Sequence, residues 1–204
     1  MIGVVDYGLG NSQAFTNIYR RMGIGAFIAS SPIDLHQATK IILPGVGSFD
    51  WAMRCLQQSG LRDALDEEVL QAKKPILGVC VGMQMMAEFS DEGIAAGLGW
   101  IDGKVVKFDV SLIQERTHLP HMGWNDVKPK AEDTLFRGLE NPRYYFLHSY
   151  HMVPQRLEDT LATSNYGFEF VSVVRRDNVF GTQFHPEKSH EWGGKLLKNF
   201  AELS

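Results

Sequence analysis

The sequence predicts an α/β fold: an open, mostly parallel sheet flanked by helices, with an antiparallel β extension, in one domain over residues 1–204. Two observations carry this. As far as Gly93, short apolar, β-branched runs alternate with longer segments of helical period, the pattern of parallel strands joined by helices. Beyond Gly93 the texture changes to aromatic, strand-like runs separated by glycines and prolines.

Each element has its own reason. IGVVDY (2–7) reads as a buried first strand. From Ser12, the spacing of Phe15, Ile18, Tyr19 and Met22 suits a helix packed on that sheet, stopped near Gly23 and Gly25. AFIAS (26–30) and KIILPG (40–45) are the second and third strands. Phe49, Trp51, Ala52, Met53 and Leu56 mark the next helix, and another spans 61–72. PILGVC (75–80) is the fourth strand and runs directly into a helical stretch, VGMQMMAEF (81–89). The extension comprises KVVKF (104–108), HMGWNDV (121–127), YYFLHSYHMV (144–153) and FEFVSVVRRDNVFGTQF (168–184). Within the last run, Asp177-Asn178 suits a hairpin turn. A helix over 192–203, with Leu196, Leu197, Phe200 and Leu203 on one face, closes the chain.

A chain of 204 residues can bury a substantial single core. A net charge of −4 gives no reason to expect nucleic acid or an anionic membrane as partner, so a small ligand is expected. No run approaches the roughly 20 apolar residues of a spanning helix, and the first residues lack the basic flank and cleavage site of a secretion signal. A cytoplasmic location follows as the default expectation. Two cysteines, Cys55 and Cys80, are too few for a disulfide framework at this length, so reduced thiols are expected. Gly8-Leu9-Gly10 after the first strand lacks the third glycine of a dinucleotide fingerprint, Gln13 standing there, and no nucleotide cofactor is expected.

Cys80 stands out because Gly78 and Gly82 bracket it where a strand turns into a helix. G-x-C-x-G at such a junction is a nucleophile elbow with sulfur in place of oxygen. The turn residue is strained and its neighbours must be small. Backbone N–H groups at a helix start favour a thiolate and hold a developing oxyanion. A small buried core cysteine is the plainer alternative, and Cys55, on an apolar helix face with no flanking glycines, fits it.

A thiol nucleophile needs an imidazole to move its proton and a third group to fix the tautomer. In TQFHPEKSH, Pro186 pushes His185 into extended backbone, and Glu187, two residues on, is expected to reach back to the ring. A turn with a solvated glutamate is the alternative. His118 with His121, and His148 with His151, have a spacing that on strands sends the rings to opposite faces, and no further ligands complete a site, so no metal is expected. His36 and His190 read as surface residues.

G-x-C-x-G-x-Q over 78–84 followed by H-P-E over 185–187 resembles the class I, triad-type glutamine amidotransferases, whose fold is an open α/β sheet. DYGLGN (6–11), LPGVGSFD (43–50), LPHMGWN (119–125) and YYFLHSY (144–150) narrow the likeness to the glutaminase subunits of imidazole glycerol phosphate synthase, over essentially the whole chain. The resemblance implies that Cys80 attacks the amide of L-glutamine, that His185 shuttles the proton to departing ammonia, and that Glu187 orients the imidazole. It implies Val81 N–H as one oxyanion donor and the Gly45-Val46 segment as the second, after a peptide flip. Gly47, Gln84, Glu92, Ser149 and Tyr150 are the implied substrate contacts.

The implied partner is a β/α-barrel cyclase subunit in a heterodimer. It receives the ammonia and makes imidazole glycerol phosphate and aminoimidazole carboxamide ribonucleotide for histidine biosynthesis. Asn11, Pro120, Met122, Trp124 and Tyr145 match the docking face, Met122 and Trp124 having ordinary core packing as the alternative. Neither cofactor nor metal is implied. Pro44 to Ser48 reads P-G-V-G-S, unlike the P-G-G-E-S of the pyridoxal phosphate glutaminase or the P-G-G-P of guanylate and anthranilate partners. A paralogue that supplies ammonia to amidate a surface-polysaccharide sugar shares these motifs and stays open, as HPEKSHEWGGKLLKNF (185–200) suits it too. A peptidase would need a groove for an extended chain, and a non-catalytic module should have lost Cys80, His185 or Glu187.

Overall fold

Ile2, Val4, Val5, Ile41, Ile42, Leu43, Ile76, Leu77 and Val79 are all buried, so the first strands have two apolar faces, as a parallel sheet covered on both sides requires. The computed structural model describes residues 1–114, 118–130 and 134–203. The expected domain, 1–204, thus includes seven residues outside the described ones.

The chain runs β1 (Ile2–Val5), α1 (Ser12–Arg21), β2 (Ala26–Ala29), α2 (Pro32–Gln37), β3 (Lys40–Gly45), α3 (Phe49–Ser59) and α4 (Arg62–Asp66). After α4 a π-helical turn covers Glu67–Gln71. Then come β4 (Ile76–Cys80), α5 (Val81–Gln84), β5 (Phe89–Ser90) and β6 (Gly103–Lys107). β7 (His121–Asp126), β8 (Lys128–Pro129), β9 (Arg143–His148), β10 (Tyr150–Pro154), β11 (Thr160–Tyr166), β12 (Phe168–Arg176), β13 (Val179–Thr182) and α6 (His190–Ala201) complete the chain.

An eight-stranded sheet has the order β2-β1-β3-β4-β13-β12-β11-β8. β2, β1, β3, β4 and β13 are parallel, and β12, β11 and β8 add antiparallel. This is the mostly parallel sheet with an antiparallel extension that the sequence predicts. β10, β6 and β5 form a second sheet, and β7 with β9 a two-stranded ribbon. The Asp177-Asn178 turn joins β12 to β13, Asp177 adopting φ 53°.

Four elements depart from expectation. The helix expected over 81–89 stops at Gln84, because the carbonyls of Met85, Met86, Ala87 and Glu88 accept instead from Leu98, Ile101, Gly99 and Gly97. α2 is one capped turn, with Ser31 and Asp34 closing a capping box, too short to show a period. β11 is polar at Thr160, Thr163, Ser164 and Asn165 yet buried at the first three, so its pairing is set by its neighbours. YYFLHSYHMV breaks at Ser149 into two strands of different sheets.

Candidate active site

β4 lies between β3 and β13, and Cys80 is its last residue. Its backbone is at φ 55°, ψ −113°, a positive-φ conformation that costs a non-glycine residue on the order of 1–3 kcal/mol. The neighbours enforce it. A Cβ at Gly82 would collide with the Leu43 carbonyl oxygen of β3, and one at Gly78 would come 2.6 Å from the Met86 Cε and 2.7 Å from the Gly82 carbonyl oxygen. Cys80 is buried, with its sulfur 3.9 Å from the Leu147 carbonyl oxygen.

β13 pairs with β4 as far as Thr182 opposite Val79, so the residues that follow β13 run beside Cys80. His185 N donates to Tyr145 O at 2.9 Å, and the Ser189 hydroxyl accepts from Tyr145 N at 3.0 Å while donating to His185 O at 2.6 Å. These bonds fasten the histidine to β9. His185 Nδ1 lies 2.8 Å from Glu187 Oε1; the carboxylate accepts, so Nδ1 carries the hydrogen. The contact is made through a 3-10 turn over Pro186–Lys188, in place of the extended chain expected. Burial works against a charged His185, but hydrogen bonds to Cys80 and Glu187 outweigh it and raise the imidazole to about 10.

A cavity of about 280 Å³ opens here, lined by Val46, Gly47, Cys80, Val81, Gln84, Glu92, Ser149, Tyr150 and His185 among others. It therefore gathers nine of the eleven residues expected for catalysis, the oxyanion and substrate; Glu187 stands behind His185, and Gly45 pairs with Cys80 in the β3–β4 register but is not on the wall. Glu92 also has a structural task, its Oε2 accepting from Phe49 N at 2.8 Å at the start of α3. Tyr7, within DYGLGN but given no role by it, donates from its hydroxyl to Pro44 O at 2.8 Å and so fixes one end of the loop through Val46 and Gly47. A larger, more open groove of about 610 Å³ lies between α1 and α6, on the far side of Glu187 and away from Cys80.

Of the expected docking residues, Asn11 caps α1, its side chain accepting from Ala14 N, and Pro120, after a cis peptide bond, lines the cavity. Met122 is 64% exposed and Trp124 39%; they sit opposite Leu147 and Tyr145 on one face of the β7–β9 ribbon. Core packing is excluded for Met122, while Trp124 has partners within the chain, stacking on His190 at 5.4 Å and meeting Tyr145 and Trp192 edge-on at 6.4 and 6.3 Å.

The histidine pairs correct the strand argument. His121 Nδ1 is 3.0 Å from His148 Nε2, and His148 and His151 both pack on Phe108, because the break at Ser149 resets the alternation. His148 Nδ1 donates to Tyr150 O at 2.8 Å. Burial pushes His121 down to about 4 and His148 well below the usual range, so both rings are neutral at pH 7. His118 is exposed, and its carbonyl accepts from the Tyr166 hydroxyl. Among the described residues no group of three or more His, Cys, Asp or Glu is placed to hold a metal ion.

A strained thiol beside a His–Glu pair occurs on many folds, so comparison decides the family. Residues 4–203 match the model of the class I glutamine amidotransferases. A Bdellovibrio bacteriovorus protein named imidazole glycerol phosphate synthase subunit HisH is 53% identical over all 204 residues of both chains. The chain belongs to the class I glutamine amidotransferases, in the HisH family. A Leptospira interrogans protein of the same name is 50% identical, again over the full length of both. Solved structures agree in fold: a putative GMP synthase subunit from Thermoplasma acidophilum superposes with TM-score 0.72 at 22% identity, covering 98% of this chain and 91% of that one. PurLQS from Thermotoga maritima gives TM-score 0.72 at 19% identity, with coverage of 98% and 96%. In this chain the G-x-C-x-G turn stands at the end of a central parallel strand. No helix among its described residues is long and apolar enough to cross a membrane.

Proposed function

We propose that this chain is the glutaminase subunit of an imidazole glycerol phosphate synthase, releasing ammonia from L-glutamine through Cys80, His185 and Glu187. The observation that carries the reading is one wall of one cavity: a sulfur on a strained turn, with an imidazole beside it whose far nitrogen is bonded to a carboxylate. Full-length likeness to HisH proteins supplies the pathway.

Cys80 attacks the side-chain carbonyl carbon of glutamine, and His185 gives a proton to the departing nitrogen, leaving a glutamyl thioester and ammonia. His185 then takes a proton from water as the water attacks the thioester. Glutamate leaves and the thiol is restored. Val81 N–H supplies one oxyanion donor, and the Gly45–Val46 peptide the other once the loop turns it inward; each is worth roughly a hundred- to a thousandfold in rate. Gln84 enters this with both amide hydrogens engaged, to Tyr150 O and Gln183 Oε1, so toward substrate it offers only its oxygen. Gly47, Glu92, Ser149 and Tyr150 provide the other contacts along the wall.

Ammonia loose in water at neutral pH is mostly protonated and no longer a nucleophile, so a second active site must be close at hand. The exposed apolar face of Met122, Trp124 and Leu147, with Tyr145, reaches the cavity through Leu147 and suits a β/α-barrel cyclase subunit, with Pro120 on the same wall and Asn11 as a further contact. The complex works in the cytoplasm.

The test measures glutamate release by the purified chain, alone and with a barrel cyclase subunit and its aminoimidazole ribonucleotide ligand. Slow turnover alone and strong stimulation by the complex are expected. Full-rate turnover by the isolated chain would overturn the loop mechanism; stimulation only by a sugar-amidating partner would move the chain to the polysaccharide pathway.

A further inference from the structure

Gln183 is wholly buried, between β13 and His185, and the triad leaves it without a task. Its Nε2 lies 3.8 Å from the Cys80 sulfur, and its Oε1 lies 3.0 Å from Gln84 Nε2. Which end of each amide faces which neighbour is settled by one atom, the Tyr150 carbonyl oxygen, which can only accept. It faces Gln84 at 3.1 Å, so that end of Gln84 is the nitrogen. The same nitrogen faces Gln183, so Gln183 must present its oxygen there. The N–H of Gln183 is then left for the sulfur.

The other lone pair of the Tyr150 carbonyl is occupied in the same directed way. His148 Nδ1–H donates to it, His148 Nε2 accepts from His121 Nδ1–H, and His121 Nε2 accepts from Asn125 Nδ2 at 3.2 Å. Asn125 donates in turn to Asn165 O at 2.7 Å. The polarity of this buried chain cannot reverse without placing a carbonyl against a carbonyl, or a lone pair against a lone pair.

The geometry points to Gln183 as the fixed hydrogen-bond donor to the Cys80 sulfur, holding it as an anion when its proton has left and aligning it with the cavity that Gln84 lines. In the thiol form the S–H is directed at the Leu147 carbonyl; once ionised, the sulfur has no use for that acceptor, and the Gln183 N–H faces it. The inference deepens the glutaminase reading and rests on Cys80 being its nucleophile. The ionisable groups around the sulfur are His185 with Glu187 behind it, His148, Lys188 and Glu92 on the cavity wall, and Tyr7 beneath. Of these His185 also hydrogen-bonds Cys80, so the sulfur meets two donors, an imidazole that gives its proton away during the reaction and an amide, that of Gln183, that keeps it.

Gln183→Glu keeps an oxygen for Gln84 and puts an acceptor where the donor stood; Gln183→Met removes both. The measurement is the pH dependence of Cys80 alkylation by iodoacetamide, alongside kcat and KM for glutamine in the complex with its cyclase. Loss of one hydrogen bond to a charged group moves the alkylation profile by about one pH unit to the alkaline side. The expected outcome is that shift in both variants, larger for Gln183→Glu, with kcat down about tenfold and KM nearly unchanged for Gln183→Glu. Unshifted profiles in folded variants would overturn the inference. Should neither variant fold, the side-chain amide resonances of Gln183 in the unaltered protein answer instead: they should titrate with pH and cease to do so in Cys80→Ala, and a resonance indifferent to Cys80 refutes the bond. Glutamine turnover that survives in Cys80→Ala would sink the glutaminase mechanism, whatever the alkylation profiles show.

Discussion

The two walls of the cavity are built on opposite plans. On one, β4, β13 and the turn after it press backbone against backbone, so that Gly82 has no room for a methyl group and Cys80 has no other conformation to adopt. On the other, the β7–β9 ribbon alternates: His121, Tyr144, Phe146 and His148 point into the core, while Met122, Trp124 and Leu147 stand in solvent. The first wall is complete within the chain. The second has one face buried and one exposed, the asymmetry that the proposed cyclase interface would use.

The largest effect belongs to the first wall. Cys80→Ala should reduce glutamate release by about a thousandfold or more, with the far-UV spectrum and thermal midpoint close to those of the parent; turnover within about tenfold of the parent would remove the sulfur from the mechanism. Gly82→Ala attacks the same wall through its packing. Its new methyl group meets the Leu43 carbonyl, which belongs to β3 and cannot rotate away, so a loss of about 3 kcal/mol is expected. For a chain of this size that lowers Tm by about 6–12 °C. An unchanged melting curve would mean that β3 and the elbow are not clamped together.

How far the sequence revealed each wall follows from the same difference. The elbow is local: G-x-C-x-G and H-P-E are short, contiguous and sterically demanding, so their roles are visible from spacing alone. The ribbon is not. Parity along YYFLHSYHMV fails at Ser149, where the chain leaves one sheet for another, and His121 meets His148 only through β7–β9 pairing. The helix expected over 81–89 was lost for a similar reason, its carbonyls being taken by residues 97–101. Tyr7 falls within DYGLGN and Gln183 within TQFHPEKSH, yet nothing in either stretch marks their part, which depends on contacts with Pro44 and Cys80 far along the chain.

The walls should also titrate at opposite ends of the pH scale. His185 is raised to about 10, so its contribution to stability is full below about 6.5 and is lost as pH rises through 10. His121 is depressed to about 4: between pH 6.5 and 4 the unfolded chain binds a proton that the folded chain refuses, and stability falls as pH drops, by up to about 3 kcal/mol. His148 is displaced in the same direction. Urea unfolding at several pH values checks both limbs. Glu187→Gln should flatten the alkaline limb and His121→Gln the acid limb; exchange of the two effects would reverse the assignment of the walls.

The smallest effect on the chain itself is expected at Trp124, and its smallness is the point. Trp124 stacks on His190 and leaves much of its indole in solvent, so Trp124→Ala should cost the isolated chain less than about 1 kcal/mol in urea unfolding. An exposed indole beside Met122 and Leu147 has the character of an interface anchor, where truncation costs about 2 kcal/mol, or roughly thirtyfold in Kd for the cyclase subunit. Titration calorimetry against that subunit measures the second number, and the unfolding curve the first. If stability falls further than affinity, the indole serves its own chain through His190, and the ribbon's outer face is as self-contained as the elbow.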